Sequence, residues 1–128
     1  MHNPTLKEFV EEDQKFPLSS YVKHEDFDDL YVRRSKLYIR MEGKFYICKP
    51  SVQIANVVAK EPGKGAFTKL VDYIVNDLNR AVYVENAHNP RLKRKLERMG
   101  FVFVNKDHGP NYLFNYETRL IEVTNECF

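Results

Sequence analysis

The stretch SVQIANVVAKEPGKGAFTKLVDYIV (Ser51–Val75) carries a strand pattern, a flexible loop and a helix pattern in direct succession. Its first part, SVQIANVVA, is rich in β-branched residues, which favour a strand. One proline and two glycines follow, and these residues interrupt regular structure. From Ala66 onward apolar residues recur every three or four positions, which predicts a helix that extends to about Leu78. We therefore expect a strand, loop and helix unit at the centre of the fold.

The segments before this unit predict one helix and several strands. Residues 4–15 place apolar side chains at helical spacing after a proline and a threonine, which is typical of a helix start. Residues 30–58 are rich in Tyr, Val, Ile and Phe, and they predict three or four antiparallel strands with a tight turn at Gly43 and Lys44.

The segments after the unit continue an alternation of strand and helix. Residues 81–86 predict a strand, and Asn89 is the expected N-cap of a second helix that ends at Gly100. Residues 101–105 and 112–117 predict a strand pair, and residues 118–128 predict an edge strand or a tail. This order favours a mixed α/β fold.

Composition and charge exclude several classes of protein. A chain of 128 residues with 43% hydrophobic and 30% charged residues is expected to fold as one globular domain. The net charge of +2 argues against nonspecific nucleic-acid binding. Neither Cys48 nor Cys127 has metal-ligand spacing, so we expect no metal site. No apolar run is long enough to span a bilayer, so we expect no membrane association and a cytoplasmic location.

The glycine loop has two interpretations on physical grounds alone. Gly63 and Gly65 precede a helix whose first N–H groups lack partners, and Lys60, Lys64 and Lys69 add positive charge, so the loop could hold a phosphate. The simpler interpretation is a plain turn surrounded by solvated lysines. A Walker loop needs a wider glycine spacing that ends in Lys-Ser or Lys-Thr, and a dinucleotide fingerprint needs a third glycine, so neither is present.

Two motifs in register resemble the GNAT superfamily of N-acetyltransferases. KEPGKG (60–65) resembles the family's Q/R-x-x-G-x-G/A loop, which binds acyl-CoA. NPRLKRKLERMGF (Asn89–Phe101) resembles its second signature, in which an asparagine begins a helix that ends in Gly-Phe. The resemblance extends over roughly residues 35–117, and it identifies the chain as a short, trimmed member that a bacteriophage could encode.

This resemblance implies a fold and its divisions. It implies a mixed, mainly antiparallel sheet with helices on both faces, and a central strand pair, about 52–58 and 81–86, that splays apart. The single domain 1–128 would then contain an N-terminal helical region (1–29), antiparallel strands (30–58), an acyl-CoA-binding core (59–117) and a C-terminal strand or tail (118–128).

The resemblance also implies an activity and a binding site. The chain would transfer an acetyl group from acetyl-CoA to an amine on a small molecule or a protein. Backbone groups of Val57 and Val58 would pair with the pantetheine arm, and Asn89 would contact its lower part. The residues implied to hold the pyrophosphate, with Lys60 at the first motif position, are Gly63, Lys64, Gly65 and Ala66.

Three positions depart from the family pattern, and they affect the expected catalysis. Lys60 replaces Gln or Arg, Pro62 removes one N–H donor, and Leu96 stands where the family often has a tyrosine acid. The remaining candidates are Glu85 as the base for the amine's proton, with Asn56 as a polar group that could face the cleft, and Tyr112 or Tyr116 for protonating the departing thiolate. Glu85 and Asn56 are equally consistent with ordinary polar positions on a strand.

A second hypothesis is a GNAT-like module that has lost its chemistry and serves as a binding or structural protein, such as a phage virion or host-interaction component. The basic stripe of the second helix bears on both hypotheses. It is consistent with a solvated face, with a site for the 3′-phosphate of coenzyme A, or with a surface for an acidic partner. Its residues are Arg91, Arg94, Lys95 and Arg98. A C-terminal edge strand could also pair two copies into a homodimer.

Overall fold

A computed structural model of the chain describes residues 3–41, 46–105, 110–114 and 120–127. These residues form a mixed sheet with three α-helices, which confirms the predicted class. The elements in chain order are α1 (Leu6–Glu11), a 3₁₀ turn (Asp13–Lys15), β1 (Ser19–Tyr21), β2 (Phe27–Met41), β3 (Tyr46–Ala59), α2 (Ala66–Asp72), a π-helical turn (Tyr73–Asp77), β4 (Ala81–Val84), α3 (Pro90–Arg98), β5 (Phe101–Asn105), β6 (Asn111–Phe114) and β7 (Leu120–Cys127).

The sheet has the strand order β1-β2-β3-β4-β6-β5, and β7 also pairs with β2. Every neighbouring pair is antiparallel except β3 and β4, which are parallel and are connected through α2. The sheet is therefore mainly antiparallel, as expected. Residues 118–128, for which an edge strand and a tail were both considered, contribute the strand β7.

The expectation of three or four strands across residues 30–58 is wrong, because β2 and β3 are two long strands of one hairpin. Ser35 lies inside β2 and is buried, and its Oγ lies 2.5 Å from the Oγ of the buried Ser51 across the pair. Because each hydroxyl satisfies the other, a polar residue can lie inside a continuous strand. The turn expected at Gly43 and Lys44 lies outside the described residues.

A β-bulge in β3 lies at the centre of the sheet. Tyr31 of β2 pairs with Asn56, whereas the next residue, Val32, pairs with Ile54, so Ala55 is the extra residue on β3. A bulge bends its strand and increases the local twist. The parallel pairing of β3 with β4 ends at Ile54, one residue before the bulge. From there β3 continues beside β2 without β4, so the two strands part at the bulge.

The three helices bury apolar side chains on one face of the sheet. Their buried residues are Leu6, Phe9 and Val10 of α1, Phe67, Leu70 and Val71 of α2, and Leu96 of α3. These side chains join one core with Val32, Ile54 and Val82 of the sheet. A smaller cluster on the opposite face contains Leu37, Ala81, Tyr83 and Leu113.

The helices thus lie on one face of the sheet, whereas the resemblance had implied helices on both faces. Two crossovers explain this arrangement for α2 and α3. One connects β3 to β4 and the other connects β4 to β5, and both step in the same direction across the sheet. Right-handed crossovers that step in the same direction place their helices on the same face.

The predicted helix signals around the central unit are confirmed. α2 begins at Ala66, and its π-helical continuation ends at Asp77, after which Asn79 has a positive φ of 54°. Asn89 caps α3, and Gly100 follows that helix with a φ of 96°, in the left-handed region that favours glycine.

We expect Thr5→Ala to lower the free energy of unfolding by about 1 kcal/mol. The Thr5 hydroxyl accepts a hydrogen bond from the Glu8 N–H at 3.2 Å, and the Glu8 carboxylate accepts one from the Thr5 N–H at 3.0 Å. Alanine removes half of this capping box at the start of α1. Urea denaturation measures the change, with Thr68→Ala on the exposed side of α2 as the control. Equal stability of the two variants would contradict the role of the cap.

Candidate functional site

The C-terminal part of β3 has an edge without a neighbouring strand. β2 pairs with one side of β3 as far as Ala59, whereas pairing with β4 on the other side ends at Ile54. Val57 packs partly against the core, and Val58 is 43% exposed. Among the described residues, no strand covers the backbone of this segment on the β4 side. An edge of this kind can hydrogen-bond an extended, amide-containing ligand.

The loop that follows β3 has a backbone that requires glycine at two positions. Gly63 has a φ of 85° and Gly65 a φ of 79°. A Cβ added to either glycine would meet no atom within 4 Å, so the space above the loop is open. Within the described chain, no hydrogen bond engages the N–H groups of Gly63, Gly65 or Ala66. The loop therefore has backbone donors without a partner in the described chain, at the start of α2.

A groove of about 380 Å³ lies beside this loop, and equal numbers of lysines and acidic residues line it. Its lining residues are Lys60, Lys64, Lys69, Ala66, Glu25, Asp26 and Glu61. In sequence, the positive charge expected at the loop comes from the three lysines. Glu25 and Asp26 come from a distant segment, and they reach the loop because the N–H of Lys60 donates to the carbonyl of Asp26 at 3.0 Å. The groove is therefore less positive than the local sequence suggests, and the Lys60 N–H is already used.

Asn89 serves first as a helix cap. Its Oδ1 accepts a hydrogen bond from the Arg91 N–H at 2.9 Å, and its side chain is exposed. The preceding loop is tied to the start of β6, because the Asn111 Oδ1 accepts from the Asn86 N–H at 3.1 Å and the Pro110 carbonyl accepts from the Ala87 N–H at 2.8 Å. These bonds fix the position of Asn89, while its side-chain amide N–H groups face solvent.

Glu85 lies at the point where β3 and β4 part, and it already has two partners. Its N–H donates to the Ile54 carbonyl at 3.1 Å, the last such bond between the two strands. Its carboxylate accepts a hydrogen bond from the Gln53 Nε2 and lies 3.3 Å from the Arg33 Nη2. Sequence reasoning missed Arg33 and Gln53, because only the register of β2 against β3 places them side by side.

Tyr112 lies on the other face of the sheet from the Glu85 carboxylate. It pairs in register with Val84, and its side chain is buried in the core beneath the helices. Burial raises the pKa of the Tyr112 phenol above its ordinary value, and the negative charge of Glu97 raises it further. The structure thus does not bring Tyr112 and the Glu85 carboxylate together. Tyr116 lies outside the described residues.

Two other predicted positions have ordinary surroundings. Leu96, at the position of the family's tyrosine, is fully buried in the core. Asn56 is exposed on β3, where it pairs in register with Tyr31.

The basic stripe of α3 divides into two parts. Arg91, Arg94 and Arg98 are exposed, and in the part of the chain that the structure describes they make no ion pair. Lys95 is half-buried, and its Nζ lies 5.9 Å from the centre of the Phe67 ring on α2. Lys95 therefore contributes to helix packing, whereas the three arginines form an exposed positive face.

Comparison with known protein families, curated proteins and solved structures found no match. Among the described residues, no three His, Cys, Asp or Glu side chains are grouped closely enough to hold a metal ion. The helices within those residues are too short or too polar to cross a bilayer.

We expect Tyr112→Phe to reduce the loss of stability in alkali. The raised pKa means that the folded state keeps the phenol proton at a pH where the unfolded chain, with a tyrosine pKa of about 10, has released it. The stability that this group contributes is present below pH 10 or so and is lost as pH rises toward the folded pKa. Urea denaturation between pH 8.5 and 11, in steps, tests this. Parallel pH dependences of the wild type and the variant would contradict the expectation.

We expect Leu96→Tyr to destabilise the fold by about 1–3 kcal/mol, because a larger polar ring would enter a filled core. Leu92→Tyr is the matched control on the same helix, since Leu92 is only half-buried. Urea denaturation of both variants provides the comparison. A Leu96→Tyr variant as stable as the control would indicate unfilled space beside α3.

Proposed function

We propose that this chain is an acyl-CoA-dependent N-acetyltransferase that transfers an acetyl group from acetyl-CoA to an amine. The observation that carries the proposal is the unpaired edge of β3, which runs from the bulge at Ala55 directly into the open glycine loop. A strand edge followed by free backbone donors suits a ligand that is amide-like along one part and anionic at its end. Acetyl-CoA has this chemistry, and it supplies the activated acetyl thioester.

The described residues fit acetyl-CoA, the donor of the acetyl group, in the following way. Backbone groups of Val57 and Val58 would pair with the amides of the pantetheine arm. The N–H groups of Gly63, Gly65 and Ala66 would bind the pyrophosphate, and the Lys64 and Lys69 side chains would add charge. Glu25, Asp26 and Glu61 oppose this charge, so we expect backbone donors to provide more of the binding than net positive potential.

The transfer itself requires few protein groups. The acceptor ammonium gives one proton to a base, its nitrogen then attacks the thioester carbonyl, a C–N bond forms and the C–S bond breaks. Glu85 is the carboxylate at the parting of β3 and β4, and it would accept the proton. The departing thiolate has an ordinary pKa of about 8.5, so water can protonate it. Tyr112 is therefore not required as an acid, which is consistent with its burial on the other face.

A second candidate is a non-catalytic binding module. It is favoured by the buried Leu96, by Pro62, which has no N–H, and by the ion pair that already occupies Glu85. In this case the exposed arginines of α3 would contact an acidic partner, and the chain would act in a virion or on a host protein. Two results together would support this candidate. The chain would bind acetyl-CoA without acetylating any amine, and it would bind an acidic partner in a salt-sensitive way that is lost when the charges of Arg91, Arg94 and Arg98 are reversed.

We expect acetyl-CoA to stabilise the folded chain by about 2.7 kcal/mol at a hundredfold excess over its Kd. Lys64→Glu should weaken this effect, because it places a carboxylate beside the pyrophosphate site. Gly65→Val should remove it, because a β-branched residue does not adopt a φ of 79° without strain. Thermal denaturation with and without acetyl-CoA measures each change.

The matched control for Lys64→Glu is Lys7→Glu, which makes the same charge change at an exposed position of α1. The control should retain the wild-type shift in melting temperature. No shift of the wild type with millimolar acetyl-CoA or CoA would contradict the proposed function, and an equal loss in both lysine variants would indicate a general charge effect rather than a site.

A further inference from the structure

A polar cluster lies on the sheet face opposite the helices, next to the parting of β3 and β4. Its members are Tyr31, Arg33, Gln53 and Glu85, with Tyr21 at its border. Arg33 and Gln53 are register partners on β2 and β3, and both contact the Glu85 carboxylate. The Glu85 N–H makes the last bond between β3 and β4, so the cluster adjoins the gap in which the donor is proposed to lie.

The two charges of this cluster are reachable from solvent. The Arg33 side chain is 36% exposed and that of Glu85 is 25% exposed, whereas Gln53 is buried beneath them. Gln53 therefore fixes the carboxylate from below and leaves its outer side open. A ligand group can approach both charges of the pair from solvent.

The Arg33 guanidinium uses little of its donor capacity. A guanidinium has five N–H donors in a planar fork that matches a carboxylate. Arg33 contacts Glu85 through Nη2 at 3.3 Å, and its Cζ lies 5.6 Å from the centre of the Tyr31 ring. Its Nε is buried and makes no hydrogen bond within the described chain, so a ligand from solvent would meet the Nη groups. This loose pairing leaves those groups able to bind a second carboxylate.

Aromatic side chains border the cluster on its outer side. The Tyr21 and Tyr31 rings lie 4.7 Å apart, and Tyr21 is 47% exposed. The Tyr31 hydroxyl donates to the Ser19 hydroxyl at 2.9 Å, which fixes that ring. The rings offer an apolar wall beside the ion pair.

We propose that the acceptor is a free amino acid, which binds on this face by exchanging partners with the Arg33 and Glu85 pair. The acceptor ammonium takes the place of Arg33 on the Glu85 carboxylate, and the acceptor carboxylate pairs with the Arg33 guanidinium. The acceptor side chain lies against Tyr21 and Tyr31. This proposal rests on the proposed function, since it names the substrate class of the same enzyme.

The chemical step balances with the groups already named. Glu85 takes one proton from the bound ammonium, and the neutral amine attacks the acetyl carbonyl of the donor. The C–N bond forms, the C–S bond breaks, and the CoA thiolate leaves with the electron pair. The attacking nitrogen loses its second proton to solvent or to the thiolate, and Glu85 returns its proton to solvent. The products are an N-acetylamino acid and CoA.

The test compares amino acids with the amines that lack only the carboxylate. The full chain is incubated with acetyl-CoA and either L-tyrosine or tyramine, and either L-lysine or cadaverine, and mass spectrometry quantifies the acetylated product. We expect kcat/KM to be roughly tenfold or more higher for each amino acid, because charge-assisted hydrogen bonds to Arg33 are lost with the carboxylate.

Two variants separate the roles of the charges. Arg33→Gln should raise KM for the amino acids by about tenfold or more, and it should not raise KM for the decarboxylated amines, which have no carboxylate to pair with Arg33. Glu85→Gln should lower kcat for both kinds of acceptor. Lys7→Gln, on the helix side of the chain, is the control and should match the wild type. Stabilisation by acetyl-CoA shows that each variant still folds and binds the donor.

The outcomes distinguish this proposal from the function on which it rests. Equal kcat/KM for each amino acid and its amine, or an Arg33→Gln effect of the same size on both, would overturn the proposed acceptor and leave the acetyltransferase intact. Acetyl-CoA binding without acetylation of any amino acid would also overturn it. Absence of acetyl-CoA binding would overturn both proposals.

Discussion

The extra residue Ala55 in β3 determines where this sheet can open. Before the bulge, β3 is paired on both sides, with β2 and with β4. After it, β3 remains beside β2 alone, and the chain continues into the glycine loop. A regular strand would keep the direction that parallel pairing requires, whereas a bulge bends the strand and lets its neighbour separate. The open edge, the loop and the position of Glu85 all depend on this one irregularity.

Polar groups lie on two sides of the gap between β3 and β4. The loop donors and the lysines lie at the end of β3 beside α2, whereas Arg33, Gln53 and Glu85 lie on the sheet face that the helices leave uncovered. The proposed donor and acceptor would approach the gap from these two sides. Because both crossover helices lie on one face, a second ligand would bind on the other, where Leu37, Tyr83 and Leu113 are buried but Arg33 and Glu85 remain partly exposed.

Charge at the loop shows how tertiary contacts change a local signal. In sequence, Lys60, Lys64 and Lys69 surround the glycines and suggest a strongly positive site. In the fold, Glu25 and Asp26 line the same groove, and the carbonyl of Asp26 takes the Lys60 N–H. The backbone donors of the loop are therefore a more specific feature than its net charge, since they depend on glycines with positive φ.

The elements around the loop could be predicted from sequence because their signals are local. Asn89 as a cap, Gly100 after α3 and the start of α2 at Ala66 each follow from a few neighbouring residues. The single long hairpin could not be predicted in this way. Inside it the buried hydroxyls of Ser35 and Ser51 satisfy each other across two strands, and this pairing cannot be recognised from either segment alone.

The groups of the candidate site also differ in whether local sequence or tertiary structure determines them. The sequence by itself determined the mixed fold class and the glycine loop before a helix, since backbone propensity and helix periodicity are properties of adjacent residues. Only the tertiary structure decided that Tyr112 and the Glu85 carboxylate face opposite sides, and that Glu85 is held by Gln53 and Arg33. The physical reason is strand register: Tyr112 pairs with Val84, the residue before Glu85, and Arg33 pairs with Gln53, so a shift of one residue in either pairing would exchange the two faces.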